Sequence, residues 1–526
     1  MTQGKGTGPG GGRVVVIGAG MGGLAAAIRL AASDVPVTVI DMAAGPGGKM
    51  RTLPSEAGPV DAGPTVLTLR ATFDALFALA GQRLDDHLTL LPQPVLARHW
   101  WPDGSTLDLV PDRAANATAI SAFAGQDEAR AFLRFDALAQ ALYSAFETPV
   151  MQAARPDAGA IARAALRDPR LWPALLPGMT LTRLLRRHFR DPRLIQLFGR
   201  YATYVGGRPD HSPAVLALIW RAEAAGVWAV QGGMHRLALA LEQVARSLGV
   251  VFQYDTPAAR ILRQGGHVTG VQTADGRTHP CDAVVFNGDP AALTTGLMGD
   301  AAQAALPATS ATPRSLSAWV WAFAATPTGP RAGDLVHHNL FFTDDSLAEF
   351  GPIGAGNMPT APTLYICAED RAAGPAQGVE RFEIIVNGPA GHPDDPDEER
   401  QCRTRTFDRL ARMGLTFDPL PLPHTLTTPA MLGRLFPGSQ GSIYGRSPEG
   451  LMAAFQRPGA RTALPGLYLA GGGAHPGAGV PMAALSGQHA AEAILADRTL
   501  ASTSAPTAMP GGMSMASRMT GRARSR

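Results

Sequence analysis

The run Val14-Val15-Val16-Ile17-Gly18-Ala19-Gly20-Met21-Gly22-Gly23 decides the fold. Four β-branched residues in a row read as a buried strand. Gly18, Gly20 and Gly23 then fit G-x-G-x-x-G, and the Ala- and Leu-rich segment from Gly22 to Ala32 reads as a helix. A second β-branched run, Val37-Thr38-Val39-Ile40, ends on Asp41. Strand, turn, helix and strand within about 30 residues make a βαβ unit. Gly18 permits the tight turn, Gly20 lets a pyrophosphate approach the backbone, and Gly23 lets helix and strand pack closely. Free N–H groups where the helix opens, at Met21 and Gly22, favour phosphate. Asp41 is placed to accept hydrogen bonds from a ribose hydroxyl. An acid there argues against a 2′-phosphate, so FAD or NAD is expected and NADP is not.

Composition excludes several classes around this unit. The chain has 526 residues, 45% apolar and only 17% charged, against about 25% charged in a typical chain. Disorder of the whole chain needs the opposite balance. Its 60 glycines and 44 prolines point to many turns and close backbone approaches. Net charge is +3, and Arg518, Arg522, Arg524 and Arg526 supply it from the C-terminal end. The remaining body is near neutral, so no nucleic acid is expected as a partner. Cys281, Cys367 and Cys402 lie far apart with no C-x-x-C pair. That fits a reducing cytoplasm, and no metal site is expected. No secretory signal is visible. Val14 to Ile28 carries no charge but is shorter than the roughly 20 residues of a spanning helix. Lys5 and Lys49 are the only lysines.

Further along, Thr72 to Ala80, Glu128 to Phe146 and Ala160 to Leu166 show helical spacing of apolar residues. Between Leu171 and Arg190, Arg183, Arg186, Arg187 and Arg190 recur at helical spacing, while Leu181, Leu184, Leu185 and His188 fall on another face. That split suits either a membrane interface or a surface helix with its apolar side on the core. Gly233 to Leu248 reads as a helix, followed by a strand at Val250 to Tyr254 and a hairpin ending in Val268 to Thr273. Asp282 to Phe286, Ser315 to Ala325, Leu364 to Cys367, Phe382 to Asn387 and Leu467 to Ala470 read as strands, and Met482 to Ile494 as a late helix. Pro389 to Glu399, acidic and Pro-rich, reads as a surface loop.

Two further patches separate FAD from NAD. One is Gly45-Pro46-Gly47-Gly48-Lys49-Met50-Arg51-Thr52, continued by Asp61-Ala62-Gly63-Pro64-Thr65-Val66-Leu67-Thr68. The other runs from Leu467 through Gly471-Gly472-Gly473-Ala474-His475-Pro476-Gly477-Ala478-Gly479-Val480-Pro481-Met482 to Ala483. These residues resemble the bacterial carotenoid desaturases, FAD-dependent flavoproteins of the phytoene desaturase type within the wider amine oxidase-like superfamily. Tyr204 to Pro209, Gly226 to Met234 and Phe436 to Gly445 carry shorter matches, and the resemblance spans about residues 13–497. Ala97-Arg98-His99-Trp100-Trp101-Pro102-Asp103-Gly104 and the uninterrupted stretch from Gly47 to Thr68 resemble the 1-hydroxycarotenoid 3,4-desaturase subgroup.

The resemblance implies an α/β fold. A Rossmann-like FAD-binding domain (13–71, 226–300 and 461–497) would carry an inserted mixed-sheet substrate domain (301–460) and a helical, membrane-facing region (72–225). Residues 1–12 would be a flexible leader and 498–526 a disordered basic tail. FAD would be held by Gly18, Gly20, Met21, Gly22, Gly23 and Asp41 at one end, by Gly48, Lys49 and Arg51 beside the pyrophosphate, and by Gly473, Val480, Pro481 and Met482 at the flavin. There the late helix would aim its N–H groups at the reduced ring. Lys49 stands where many relatives have Arg, which weakens the case for bidentate phosphate recognition.

The implied reaction removes two hydrogens from an acyclic carotenoid, forming the C3–C4 bond beside a 1-hydroxyl. Hydride passes to the flavin, and a delocalised cation then loses a proton to a weak base or water. No catalytic base is assigned. His475 reads as a loop residue beside the flavin. His99, Trp100 and Trp101 read as a strand, or alternatively as polyene-lining residues, and Glu223 is a candidate proton acceptor. A polar side chain should bind the 1-hydroxyl, because a site built for an OH rejects the analogue lacking it. Expected partners are the carotenoid, a membrane lipid surface, and oxygen or a quinone as electron acceptor. The expected location is cytoplasmic, at the face of the inner membrane. The alternatives are a phytoene desaturase or other carotenoid-modifying flavoenzyme, an amine oxidase, which the His-Pro-Gly-Ala-Gly patch disfavours, and a non-catalytic prenyl-lipid-binding protein of the same fold.

Overall fold

The computed structural model describes residues 12–307, 313–450 and 453–504. Nearly all of the leader and the tail beyond Ser504 lie outside the described residues; residues 498–504, expected as the start of a disordered tail, instead continue the helix Val480–Ser504.

A five-stranded parallel sheet forms the nucleotide-binding half. Its order is Leu467–Leu469, Ala283–Phe286, Val14–Ile17, Val37–Ile40, Val251–Gln253. Val14 lies central, in register with Ala283 on one side and Val37 on the other. Val14, Val15 and Val16 are buried on both faces, which is why this strand is an unbroken β-branched run. The helix Met21–Ala31 covers one face and packs against the C-terminal helix Val480–Ser504. Four of the five strands come from outside residues 13–36.

An eight-stranded sheet forms the second half. Its main path runs Thr416–Asp418, Ser317–Thr328, Glu380–Gly388, Leu364–Ala368, His338–Phe341, Ala97–Trp100, Thr106–Leu109. All its pairs are antiparallel except His338–Phe341 with Ala97–Trp100. The alternation of strand side chains decides what each face does. Trp319, Trp321 and Phe323 turn to one face and pack with Phe341, Ile384 and Phe407. Ala318 and Val320 turn to the other, which lies open to a cavity. Helices between Arg113 and Ala224 roof that face around Phe132, Phe135, Phe198 and Trp220.

Three readings change. The helical stretch 72–225 contains the strands Ala97–Trp100 and Thr106–Leu109, which belong to the second sheet. Their partner His338–Phe341 is too distant in sequence for local pattern to reveal. The loop reading of Pro389 to Glu399 ends early, because the helix Pro396–Arg412 begins inside it. Asp395 caps that helix through the Asp397 N–H, Pro396 takes its first turn, and three acids follow at the positive end of the dipole. The third change concerns Leu171 to Arg190. Leu181, Leu184 and Leu185 of the helix Leu181–His188 are fully buried in the helical core. The apolar face is therefore used internally, and the arginines are what it shows to solvent.

Candidate active site

One cavity of about 1460 Å³ connects the two halves. Drug-sized ligands occupy roughly 300–1,000 Å³, so it has room for a dinucleotide and a second, long ligand.

Its first end is built by the opening motif. Gly18, Gly20, Met21, Gly22 and Asp41 all line it. Gly23 does not; a Cβ there would stand 2.0 Å from the Gly18 carbonyl. Its task is helix-to-strand packing, as the third glycine of the motif requires. The Asp41 carboxylate accepts N–H bonds from Ala19 at 2.6 Å and Ala43 at 2.7 Å, which orient it on the cavity wall. Burial pushes its pKa up, and those two N–H bonds oppose the shift. Asn287, which sequence reasoning missed, donates to the Gly18 carbonyl and packs against Gly471, joining the two glycine patches.

The second end is built by Gly471 to Ala483. The helix Val480–Ser504 starts two residues earlier than expected, and Val480, Pro481, Met482 and Ala483 line the cavity at its N-terminus. Gly473 lines it too, as do Gly48, Lys49 and Arg51 from the other patch. Lys49 donates to the carbonyls of Ile443 at 2.8 Å and Ser442 at 3.3 Å, and lies over the Phe436 ring. Two of its three donors are therefore engaged on the loop before Tyr444. Arg51 donates to Thr427 and lies near Glu383. Arg457, unnoticed in the sequence, donates to the Gly472 and Tyr444 carbonyls beside Lys49.

Burial lowers the Lys49 pKa from 10.5 to about 8, against the pull of Asp289. In the cofactor-free protein the penalty for burying its charge is in force below about pH 8. It fades as pH rises toward 10.5, where the unfolded chain still binds the proton and the folded chain does not. Wild-type stability should therefore gain on that of Lys49→Met protein between pH 8 and 10. Denaturant midpoints of both proteins across that range check this; parallel curves refute it.

Beyond these ends the wall turns apolar. Phe146, Ile161, Leu175 and Ile219 face it from the helices, and Val320, Leu340 and Ile385 from the sheet. Two buried carboxylates interrupt it, beside neutral polar side chains such as Thr65, Tyr365 and Gln196. Glu223 accepts hydrogen bonds from Arg200 at 2.8 Å, from Tyr201 at 2.9 Å and from Tyr204. Arg200, Tyr204 and Glu223 all line the cavity. Glu349, with Thr363 and Asn387, forms the second group.

The histidine and tryptophan candidates are elsewhere. His475 is buried off the cavity wall; its Nε2 meets the Ala153 carbonyl at 2.9 Å, and its ring stacks on His489. It ties the C-terminal patch to the segment after Glu147–Gln152. His99, Trp100 and Trp101 do not line the cavity either. His99 Nδ1 meets the Leu107 carbonyl across the strand pair, and Trp100 and Trp101 belong to different cores. The strand reading is observed for His99 and Trp100, and Trp101 follows just past the strand's end. Cys367 meets His337 and His338, one ligand atom of each lying within 4.8 Å of the others. A search for C-x-x-C cannot see such a group. Both histidines already hydrogen-bond, His337 to the Ala368 carbonyl and His338 to the Tyr365 hydroxyl.

Residues 21–495 match the flavin-containing amine oxidoreductases. The chain belongs to that family. Its members carry flavin, so FAD rather than NAD is the cofactor. The walls fit FAD: glycines admit backbone at both ends, and free helix N–H groups face the second end. Hydroxyneurosporene desaturase of Cereibacter sphaeroides is 66% identical over 486 residues, covering 92% of this chain and 98% of that protein. The protein of the same name from Rhodobacter capsulatus is 61% identical over the same length and shares. A 4,4'-diapolycopene oxygenase of Methylomonas is 30% identical over 92% of this chain and 98% of that protein. Among solved structures, an oxidoreductase from Methanosarcina mazei matches with a TM-score of 0.58 at 16% identity, over 91% of this chain and all of that one. Putrescine oxidase matches at 0.57 and 14%, over 92% and 99%. These two likenesses establish the shared fold.

Proposed function

We propose that the chain is an FAD-dependent carotenoid desaturase that forms the C3–C4 double bond of acyclic 1-hydroxycarotenoids. The observation that carries this is the single cavity, which runs from a dinucleotide cradle into an apolar bay between helices and sheet. The relatives named for hydroxyneurosporene desaturation add the substrate class. Bound FAD supplies the hydride acceptor. The chain's own part is to hold a long polyene against it and to keep water out. Ala318, Val320 and Ile385 form a flat apolar floor, and Phe146, Ile161 and Leu175 a roof. Glu223 remains the candidate proton acceptor, since its carboxylate lines the bay. A proton lost from a delocalised cation does not demand a strong base.

The substrate lives in lipid, and no helix among the described residues is long and apolar enough to cross a membrane. The proposed lipid contact lies around the helices Ala158–Arg167 and Trp172–Leu175. There Leu166, Trp172 and Leu176 are 79%, 54% and 45% exposed, while neighbours Ile161, Ala165 and Leu175 line the cavity. Exposed Arg167 beside them suits anionic headgroups, while exposed Arg163 and Arg170 pair with Asp157 and Asp168. A second basic amphipathic candidate, Leu181–His188, has its leucines buried and drops out.

The test loads the protein with FAD and supplies acyclic carotenoids, with and without the 1-hydroxyl, in liposomes or in detergent. New 3,4-unsaturation in the hydroxylated compounds is expected. Conversion of phytoene alone would refute the subgroup reading. The double change Leu166→Ser and Trp172→Ser should slow turnover severalfold in liposomes and leave the detergent rate intact. Equal slowing in both would remove the proposed lipid contact.

A further inference from the structure

Glu349 is an acid set into an apolar wall. It lies on the helix Leu347–Gly354, is 2% exposed, and lines the cavity. Thr363 Oγ1 donates to its Oε2 at 2.6 Å and Asn387 Nδ2 to its Oε1 at 2.9 Å. Both partners are neutral and both line the cavity. Sheet register says where this cluster lies. Asn387 stands directly opposite Ala318, and Ile385 directly opposite Val320. Residues opposite each other share a face of the sheet. Ala318, Val320, Ile385 and Asn387 thus pave one floor, apolar along most of its length and polar at Asn387.

We propose that Glu349, Asn387 and Thr363 form the subsite for the tertiary hydroxyl at the end of the substrate chain. This rests on the desaturase reading above. The hydroxyl-bearing carbon lies two bonds from the reacting pair, so its binding group must adjoin the floor on which that pair rests. The Thr363 hydroxyl, the Thr363 N–H and the Asn387 amide take three of the carboxylate's lone pairs and leave one for the ligand. Burial raises the Glu349 pKa and favours the acid form, which can also donate. The Arg200–Glu223 cluster is a poorer candidate, because its carboxylate is held in a buried ion pair with a guanidinium as well as by two hydroxyls.

Binding and turnover are measured on FAD-loaded wild type, Glu349→Gln and Asn387→Leu, in liposomes carrying a 1-hydroxycarotenoid or its analogue without the hydroxyl. Wild type should favour the hydroxylated ligand by about 100-fold or more in kcat/KM. Asn387→Leu should narrow that preference about tenfold through the KM of the hydroxylated compound, with the analogue little changed. Glu349→Gln keeps the shape and should narrow it less. Unchanged discrimination in both variants, at wild-type flavin content, overturns the subsite. A wild type that binds the hydroxylated ligand preferentially, loses that preference in the variants, and removes no hydrogen supports the subsite and overturns the desaturase reading.

Discussion

Gly22→Val protein is expected to purify without flavin and to stay without it when FAD is added. A Cβ at Gly22 would stand 2.5 Å from the Gly471 nitrogen and 2.7 Å from Asn287 Oδ1. From the other side, a Cβ at Gly487 would stand 2.0 Å from the Gly22 carbonyl. These neighbours are largely backbone, so no rotamer change relieves the clash. The helix Met21–Ala31 would have to move off both the C-terminal patch and the helix Val480–Ser504. Overpacking of a core typically costs about 1–3 kcal/mol. Here the displaced elements are also the two walls of the cavity's glycine-rich ends. Gly487→Val should behave alike, although it touches no cofactor. Gly333→Ala, with no atom within 4 Å of the added carbon, is the control. Flavin absorbance per protein after reconstitution gives the answer; a full complement in Gly22→Val would refute the account of this crossing.

The second large effect is expected at the buried ion pair of the helical layer. Arg200 is 6% exposed and Glu223 2%. Glu223→Ala leaves the guanidinium with only the Tyr201 and Tyr204 hydroxyls. Stranding one partner of a buried pair costs about 3–5 kcal/mol. Replacing both, as Arg200→Met with Glu223→Leu, removes two desolvated charges together and should recover part of that loss, the Tyr201 and Tyr204 hydroxyls losing their partners. The double variant keeps an apolar wall, so its stability and its turnover should part company: stable protein, slow desaturation. Denaturant midpoints for the two singles and the double measure the coupling. A single variant that costs less than about 1 kcal/mol would mean that the pair does little for this layer.

The flavin-binding half was legible because its signals are local. A β-branched strand, three glycines, a helix and a terminal acid fall within about 30 residues, and the observed strands Val14–Ile17 and Val37–Ile40 lie on the residues read as strands. The second glycine patch was legible for the same reason. Lys49 shows the limit. Its charge was visible, but two of its donors engage carbonyls of Ser442 and Ile443, nearly four hundred residues away in sequence. His475 shows another: its place in the glycine patch was plain, its aim away from the cavity was not.

By itself, then, the sequence determined a β-strand–glycine–helix junction at the start of the chain and a second glycine loop near its end, both suited to a dinucleotide. It also determined which face of most helices is apolar. Only the tertiary structure decided what those faces pack against. The leucines of Leu181–His188 go inward to the core, while Leu166 and Trp172 remain outside beside the cavity. It alone set Ala97–Trp100 beside His338–Phe341, and Glu349 beside Asn387. Strand pairing and burial depend on contacts between residues far apart in the chain. A local pattern reports how a segment can fold, whereas its partner is chosen by the whole molecule's packing.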